Sequence, residues 1–286
     1  MKLLNIRLRY SGIRPHFNPA RLVLVVVLVA SVTSGLVMPG QACGIISHHH
    51  IAEKASDYIH APGYADLLAL LREYPGIVTY GALFPDSPGL GNYKEFVHSM
   101  DFVAAYTDYF KPVFRSSNPE DRKAIAFLLG VIAHNEADNA FHFGPNAFLW
   151  VAMQHEGQSD QTLFEEDIDL YIRDAYEGWG PWGHYCNNWE NPTRAKEATL
   201  SILNTFYPGH DVTDGSLSGG FSTINAACVW ESVEPRDVHS WMEANFMYWP
   251  DGGLLDMFNH IAAVWMQTWD GLSETSYSLY LPAIVR

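Results

Sequence analysis

The sequence predicts an all-α protein on three observations. Apolar residues recur at helical spacing through most of the chain. Asn118-Pro119 offers a cap and a first-turn proline ahead of a long apolar run, and period-two alternation is scarce. With 286 residues, 48% of them hydrophobic, the chain can build one large core and does not require a second domain. No repeat of 20–50 residues and no low-complexity linker interrupts it.

The first element is an export signal over residues 1–42. Lys2, Arg7, Arg9, Arg14 and Arg21 precede the apolar run Leu22–Val32, which has the length of a signal-peptide core and is short for a bilayer span. Gly40-Gln41-Ala42 then suits cleavage before Cys43, and residues 43–286 form the mature domain. An uncleaved membrane anchor is the alternative. Losing 1–42 removes 5 of the 17 basic residues, leaving 12 against 32 acidic ones, a net of −20. Such a surface disfavours nucleic acid as a partner. Of the three cysteines, Cys186 and Cys228 are free to pair in an oxidising compartment or to stay as thiols.

Helices follow in order. Ser47 is a candidate cap for the first, which buries Ile51, Ala55 and Ile59. A second spans Tyr64–Glu73 and stops before Pro75, and a Gly- and Pro-rich loop covers 75–92. A third spans Lys94–Phe110, with Phe96, Val103, Tyr106 and Phe110 at helical spacing. The fourth starts after Asn118-Pro119 and runs to about Phe143. Further helices are expected at 146–156, 160–176, 193–205, 235–248 and 254–269. Tyr277–Val285 is the one weak strand candidate. All nine tryptophans fall at or after Trp150.

The fourth helix carries the strongest chemistry. His134, Asp138 and His142 are spaced i, i+4, i+8 and share one face. At a rise of 1.5 Å per residue the outer Cα atoms lie roughly 12 Å apart, too far for one tetrahedral ion. A row of metal ions bridged by Asp138 fits better, and clustered ions suit phosphoester hydrolysis. The competing possibility is a hydrogen-bonded polar stripe. Against it, Phe127, Leu128, Leu129, Val131 and Ile132 make the helix apolar, where unpaired carboxylates and imidazoles are costly. His48-His49-His50, Asp86, His98, His155 and Asp160 supply further candidate ligands.

These residues resemble the zinc-dependent phospholipase C family, most closely the catalytic domains of glycosylphosphatidylinositol-specific phospholipase D enzymes. Single-strand-specific zinc nucleases share that fold. The resemblance rests on Cys43-Gly44-Ile45-Ile46-Ser47-His48, on Gly81-Ala82-Leu83-Phe84-Pro85-Asp86, on His98, and on Phe127 to His134 continuing to His142. It covers roughly 43–160. It implies two or three zinc ions. Asp86, His98, His134 and Asp138 would hold one, and Cys43 (amine and carbonyl), His48 and Asp138 a second. His142, His155 and a carboxylate would hold a third. The family places that carboxylate four residues after the histidine. Ser159 occupies the position, so Asp160, with Glu156 as the other choice, is expected to serve. Asp86 would also orient or deprotonate the attacking water. The implied activity is a secreted phosphodiesterase acting on a phospholipid or other phosphodiester, with peripheral membrane contact and no protein partner. A nuclease on the same scaffold, and a helical binding module without catalysis, are the competing functions.

Overall fold

A computed structural model describes residues 44–144, 146–177, 192–231 and 236–277, without the side chains of 177, 225–231 and 273–277. Among the described residues the secondary structure is helical, with no strand. The helices are α1 Ile45–Ala55, α2 Ala65–Glu73, α3 Pro75–Leu83, α4 Lys94–Val97, α5 Met100–Phe110 and α6 Pro119–His142. They continue as α7 Phe148–Glu156, α8 Gln161–Ile172, α9 Thr193–Phe206, α10 Asp214–Glu231, α11 Ser240–Asn245 and α12 Leu254–Tyr277. None is long and apolar enough to cross a membrane.

Helix α6 is the axis of the fold. Asn118 caps it by accepting from the Glu120 amide, and Pro119 fills its first turn. Every residue from Ala124 to Asp138 is buried. A helix buried on all sides has to be surrounded, and α6 packs against α1, α3, α5, α7, α9 and α12. Trp265 of α12 is fully buried and donates its Nε1–H to the Leu129 carbonyl of α6 at 2.7 Å.

The tightest of these contacts is α3 on α6, and glycine makes it possible. A Cβ on Gly130 would lie 1.9 Å from the Val78 carbonyl oxygen and 2.7 Å from the Gly81 Cα. One on Gly81 would lie 2.0 Å from the Phe127 carbonyl oxygen. The two backbones therefore meet directly. This contact sets the end of α3, and Asp86 just beyond it, beside the His134 turn of α6.

Several boundaries differ from the sequence expectation. Part of the expected loop 75–92 is helix α3, because Pro75 fits a first helical turn and Ile77–Leu83 are buried on all sides, giving no amphipathic period to read. The expected Lys94–Phe110 helix breaks after Val97, and Ser99 caps α5 by accepting from the Phe102 amide at 3.3 Å. The cap of α1 is Gly44 rather than Ser47, which lies inside the helix. Helix α10 was not expected, since its start Asp214-Gly-Ser-Leu-Ser-Gly-Gly220 has a turn-like composition. Those small residues serve packing: a Cβ on Gly220 would lie 2.1 Å from the Ser87 hydroxyl, so α10 lies directly under the loop that carries Asp86. The expected 235–248 helix shortens to α11, and α12 runs on to Tyr277, the first residue of the strand candidate. Residues 278–285, the export signal 1–42, Cys43, Cys186 and the Cys228 side chain lie outside what is described.

Candidate metal centre

Three consecutive histidines open α1, and helical geometry lets only one face α6. The steps of 100° per residue point His48 inward to the His134 ring, with centroids 3.8 Å apart. His50 turns to Tyr176 and Phe258. His49 turns towards Glu53, with burial first and then His50 and Lys54 pushing its imidazole down to about 3.

Asp138 is the hub. Its Oδ1 is 3.3 Å from His48 Nε2, and its Oδ2 is 3.2 Å from His134 Nε2 and 3.9 Å from His98 Nε2. Asp86 faces the same space, with Oδ1 3.4 Å from His98 Nε2 and Oδ2 4.0 Å from His134 Nε2. These separations are long for charge-assisted hydrogen bonds, which run at about 2.7–2.9 Å. Two donors each about 2.1 Å from a tetrahedral ion stand about 3.4 Å apart, so the spacing suits a shared ion.

The second contacts aim the rings. Nδ1 of His134 is 2.7 Å from the Ala82 carbonyl oxygen, and Nδ1 of His98 is 2.9 Å from that of Lys94. A carbonyl can only accept, so Nδ1 carries the proton in both and Nε2 turns its lone pair to the cluster. Nε2 of His134 and Oδ1 of Asp138 are buried with no hydrogen-bond partner among the described residues. The break between α4 and α5 has a use here, because His98 occupies it and is thereby turned towards Asp86.

Electrostatics agree with the geometry at His134, while His98 is drawn the other way by Asp86. Burial first, and the neighbouring His48 second, hold the His134 imidazole below its usual range, so the ring is neutral near pH 7 and available as a ligand. Burial would raise Asp138, but His134 and His48 outweigh it and keep the carboxylate ionised. At His98 burial lowers and the Asp86 bond raises, with a net rise.

Two sets have all their ligand atoms within 4.8 Å of one another: His48, Asp86 and His134, and His98, His134 and Asp138. Imidazole nitrogens with carboxylates are a donor set that suits zinc. The residues therefore fit a metal cluster around Asp138.

The far end of the row is different. Nε2 of His142 is 3.6 Å from Oε1 of Glu165, a residue the sequence did not single out. Burial pushes the Glu165 carboxyl up to about 8. The two residues expected to join His142 lie elsewhere. His155 is exposed and stacks on Trp241, with centroids 4.1 Å apart. Asp160 caps α8, accepting from the Leu163 amide at 3.2 Å. Glu156, the other choice, accepts from the Trp241 and Met242 amides. Gln161 lies one turn before Glu165 and donates to its Oε1 at 2.7 Å.

Asp169 was missed as well. Its carboxylate, 0% exposed, accepts from the Ile46 and Ser47 amides at 2.8 Å each and from the Ser47 hydroxyl. A Cβ on Gly44 would lie 1.9 Å from its Oδ2, so Asp169 fills the space of an absent side chain at the N-terminus of α1. The signal was the i, i+4 pair Glu165 and Asp169 on the face of α8 that buries Ile168 and Ile172.

No protein-family profile matches the chain. No solved structure matches it. Over 107 residues it is 30% identical to the phosphatidylinositol-glycan-specific phospholipase D of Dictyostelium discoideum. The match takes in 36% of this chain and 11% of that protein, so the chain spans about a ninth of its relative. That is a distant relationship.

Proposed function

We propose that the chain is an exported, zinc-dependent phosphodiesterase that hydrolyses phospholipid or glycosylphosphatidylinositol head-group phosphodiesters. The observation that carries this is Asp138, with one oxygen towards His48 and the other towards His134 and His98. Asp86, His98, His134 and Asp138 would hold one ion; His48 and Asp138, with Cys43 after processing, a second. Bound zinc would lower the pKa of a coordinated water and neutralise charge on the phosphoryl oxygens. Asp86 would orient the attacking water and accept its proton. His98 and His134, each tied to a backbone carbonyl, keep their ligand atoms in register throughout.

Two further observations support a lipid-like substrate. The mature chain is acidic, at −20, which opposes a nucleic-acid backbone. Beside His142, Phe143 is 72% exposed and Trp150 45%, and the indole is fixed by donating to the His142 carbonyl at 2.7 Å. The distant likeness to a phosphatidylinositol-glycan-specific phospholipase D points the same way.

Metal content and hydrolysis of a phosphatidylcholine analogue, measured on wild type and Asp138→Ala, test the proposal. The substitution is expected to remove the bridged ions and to lower activity at least a hundredfold. Unchanged metal content and activity would sink it. Faster hydrolysis of single-stranded DNA than of the lipid analogue would move the assignment to a nuclease.

A further inference from the structure

We infer that this chain holds two metal ions tightly and that Gln161 closes the place beside His142 where a third would bind. The inference rests on the proposed metal centre and concerns its count. A catalytic zinc ion takes about three protein donors. Around Asp138 the protein gathers Asp86, His48, His98 and His134 within reach of one another.

Beside His142 the described residues supply one further donor, Glu165. The buried Nε2 of His142 and the buried carboxylate of Glu165 stand 3.6 Å apart, a separation that one ion could bridge. Among the described residues no third donor joins them, because His155 is stacked on Trp241 and Asp160 is engaged at the start of α8. The side chain that reaches this space is Gln161. Its amide donates to the same Glu165 oxygen that faces His142, and an amide is not among the side chains that ordinarily hold zinc.

The chain itself shows what a complete arrangement would be. His134 and Asp138 are a histidine and a carboxylate four residues apart on one helix face, both turned to the cluster. Gln161 and Glu165 stand in the same relation on α8, with an amide in place of the imidazole. Gln161→Asn or Gln161→Ala would leave the count unchanged, whereas Gln161→His supplies the missing nitrogen.

The test is zinc per folded chain after saturation with zinc chloride and exhaustive dialysis, with folding followed by circular dichroism. Wild type is expected to retain two ions, Gln161→His three, and Glu165→Gln two. Three ions on wild type, loss of one from Glu165→Gln, or a folded Gln161→His that stays at two would each overturn the inference. A wild-type count of three leaves the metal centre standing and removes this inference alone. A count below one overturns the centre and the inference together.

Discussion

Replacing Gly130 with alanine sets two effects of opposite sign against each other. In an exposed helix interior the change stabilises by up to about 1 kcal/mol, because alanine has the higher helix propensity. At position 130 the added Cβ would lie 1.9 Å from the Val78 carbonyl oxygen, 2.6 Å from the Ala82 nitrogen and 2.7 Å from the Gly81 Cα. All three obstacles are backbone atoms, so no rotamer change relieves them. Ordinary non-bonded contact needs about 3.5 Å, so α3 and α6 must separate locally by roughly 1.5 Å. Overpacking costs about 1–3 kcal/mol where side chains can adjust, and a backbone obstruction belongs at the upper end. The expected net loss is therefore about 2 kcal/mol. The same shift would stretch the 2.7 Å bond from His134 to the Ala82 carbonyl beyond hydrogen-bonding range and move Asp86 away from His134. Urea unfolding of the metal-free protein and a zinc competition titration measure the two consequences. We expect a lower unfolding midpoint and at least tenfold weaker zinc binding. Gly219→Ala is the control, since nothing lies within 4 Å of its Cβ position, and it should be neutral or slightly stabilising. If Gly130→Ala behaves like Gly219→Ala, direct helix contact is not what brings Asp86 to His134.

The remaining predictions concern α1 and α12. Asp169→Asn keeps the size of the side chain but halves its acceptors. It should cost about 2–4 kcal/mol in urea unfolding, on a scale of 1.5–3 kcal/mol per hydrogen bond to a charged group. It should also weaken the ion bound through His48 more than the ion bound through His98, and equal loss at both would refute a clamp specific to α1. His260 is raised by its bond to Glu136, at 2.7 Å. A raised histidine stabilises most below its unfolded pKa near 6.5, and that contribution fades as pH rises through the folded value. The side chain is half exposed, so His260→Gln should cost under ~1 kcal/mol at pH 6 and less at pH 9. A cost that grows with pH would contradict the assigned direction.

What could be read from the sequence follows from the range over which each signal acts. Asn118-Pro119 and the His134, Asp138, His142 face are local patterns, and the structure has α6 starting after that cap with Asp138 facing His48 and His134. Helix α3 was hidden because full burial erases the polar side of an amphipathic pattern. Helix α10 was hidden because glycines chosen for close packing look like turn residues. Glu165 was hidden for a different reason. The resemblance points to position 159, where Ser159 stands, and the nearest carboxylates on either side are Glu156 and Asp160. Helix α8 then carries Glu165, Glu166, Asp167 and Asp169, and the i, i+4 pair Glu165 and Asp169 marks its buried face without saying which of the two turns to His142.

The partner of a histidine is fixed by how α8 packs, and proximity in sequence carries no information about that. Asp160 is nearer to His155, yet a carboxylate just before a helix is worth most as a cap on its free amides, where Asp160 is found. One turn or more into the helix that role is gone. There a carboxylate is either solvated or directed at something that compensates its burial, and on α8 the inward positions are Glu165, facing His142, and Asp169, facing the first turn of α1. Both carboxyl groups on that face thus point at the elements carrying His48 and His142, which makes α8 a support shared by these two histidines.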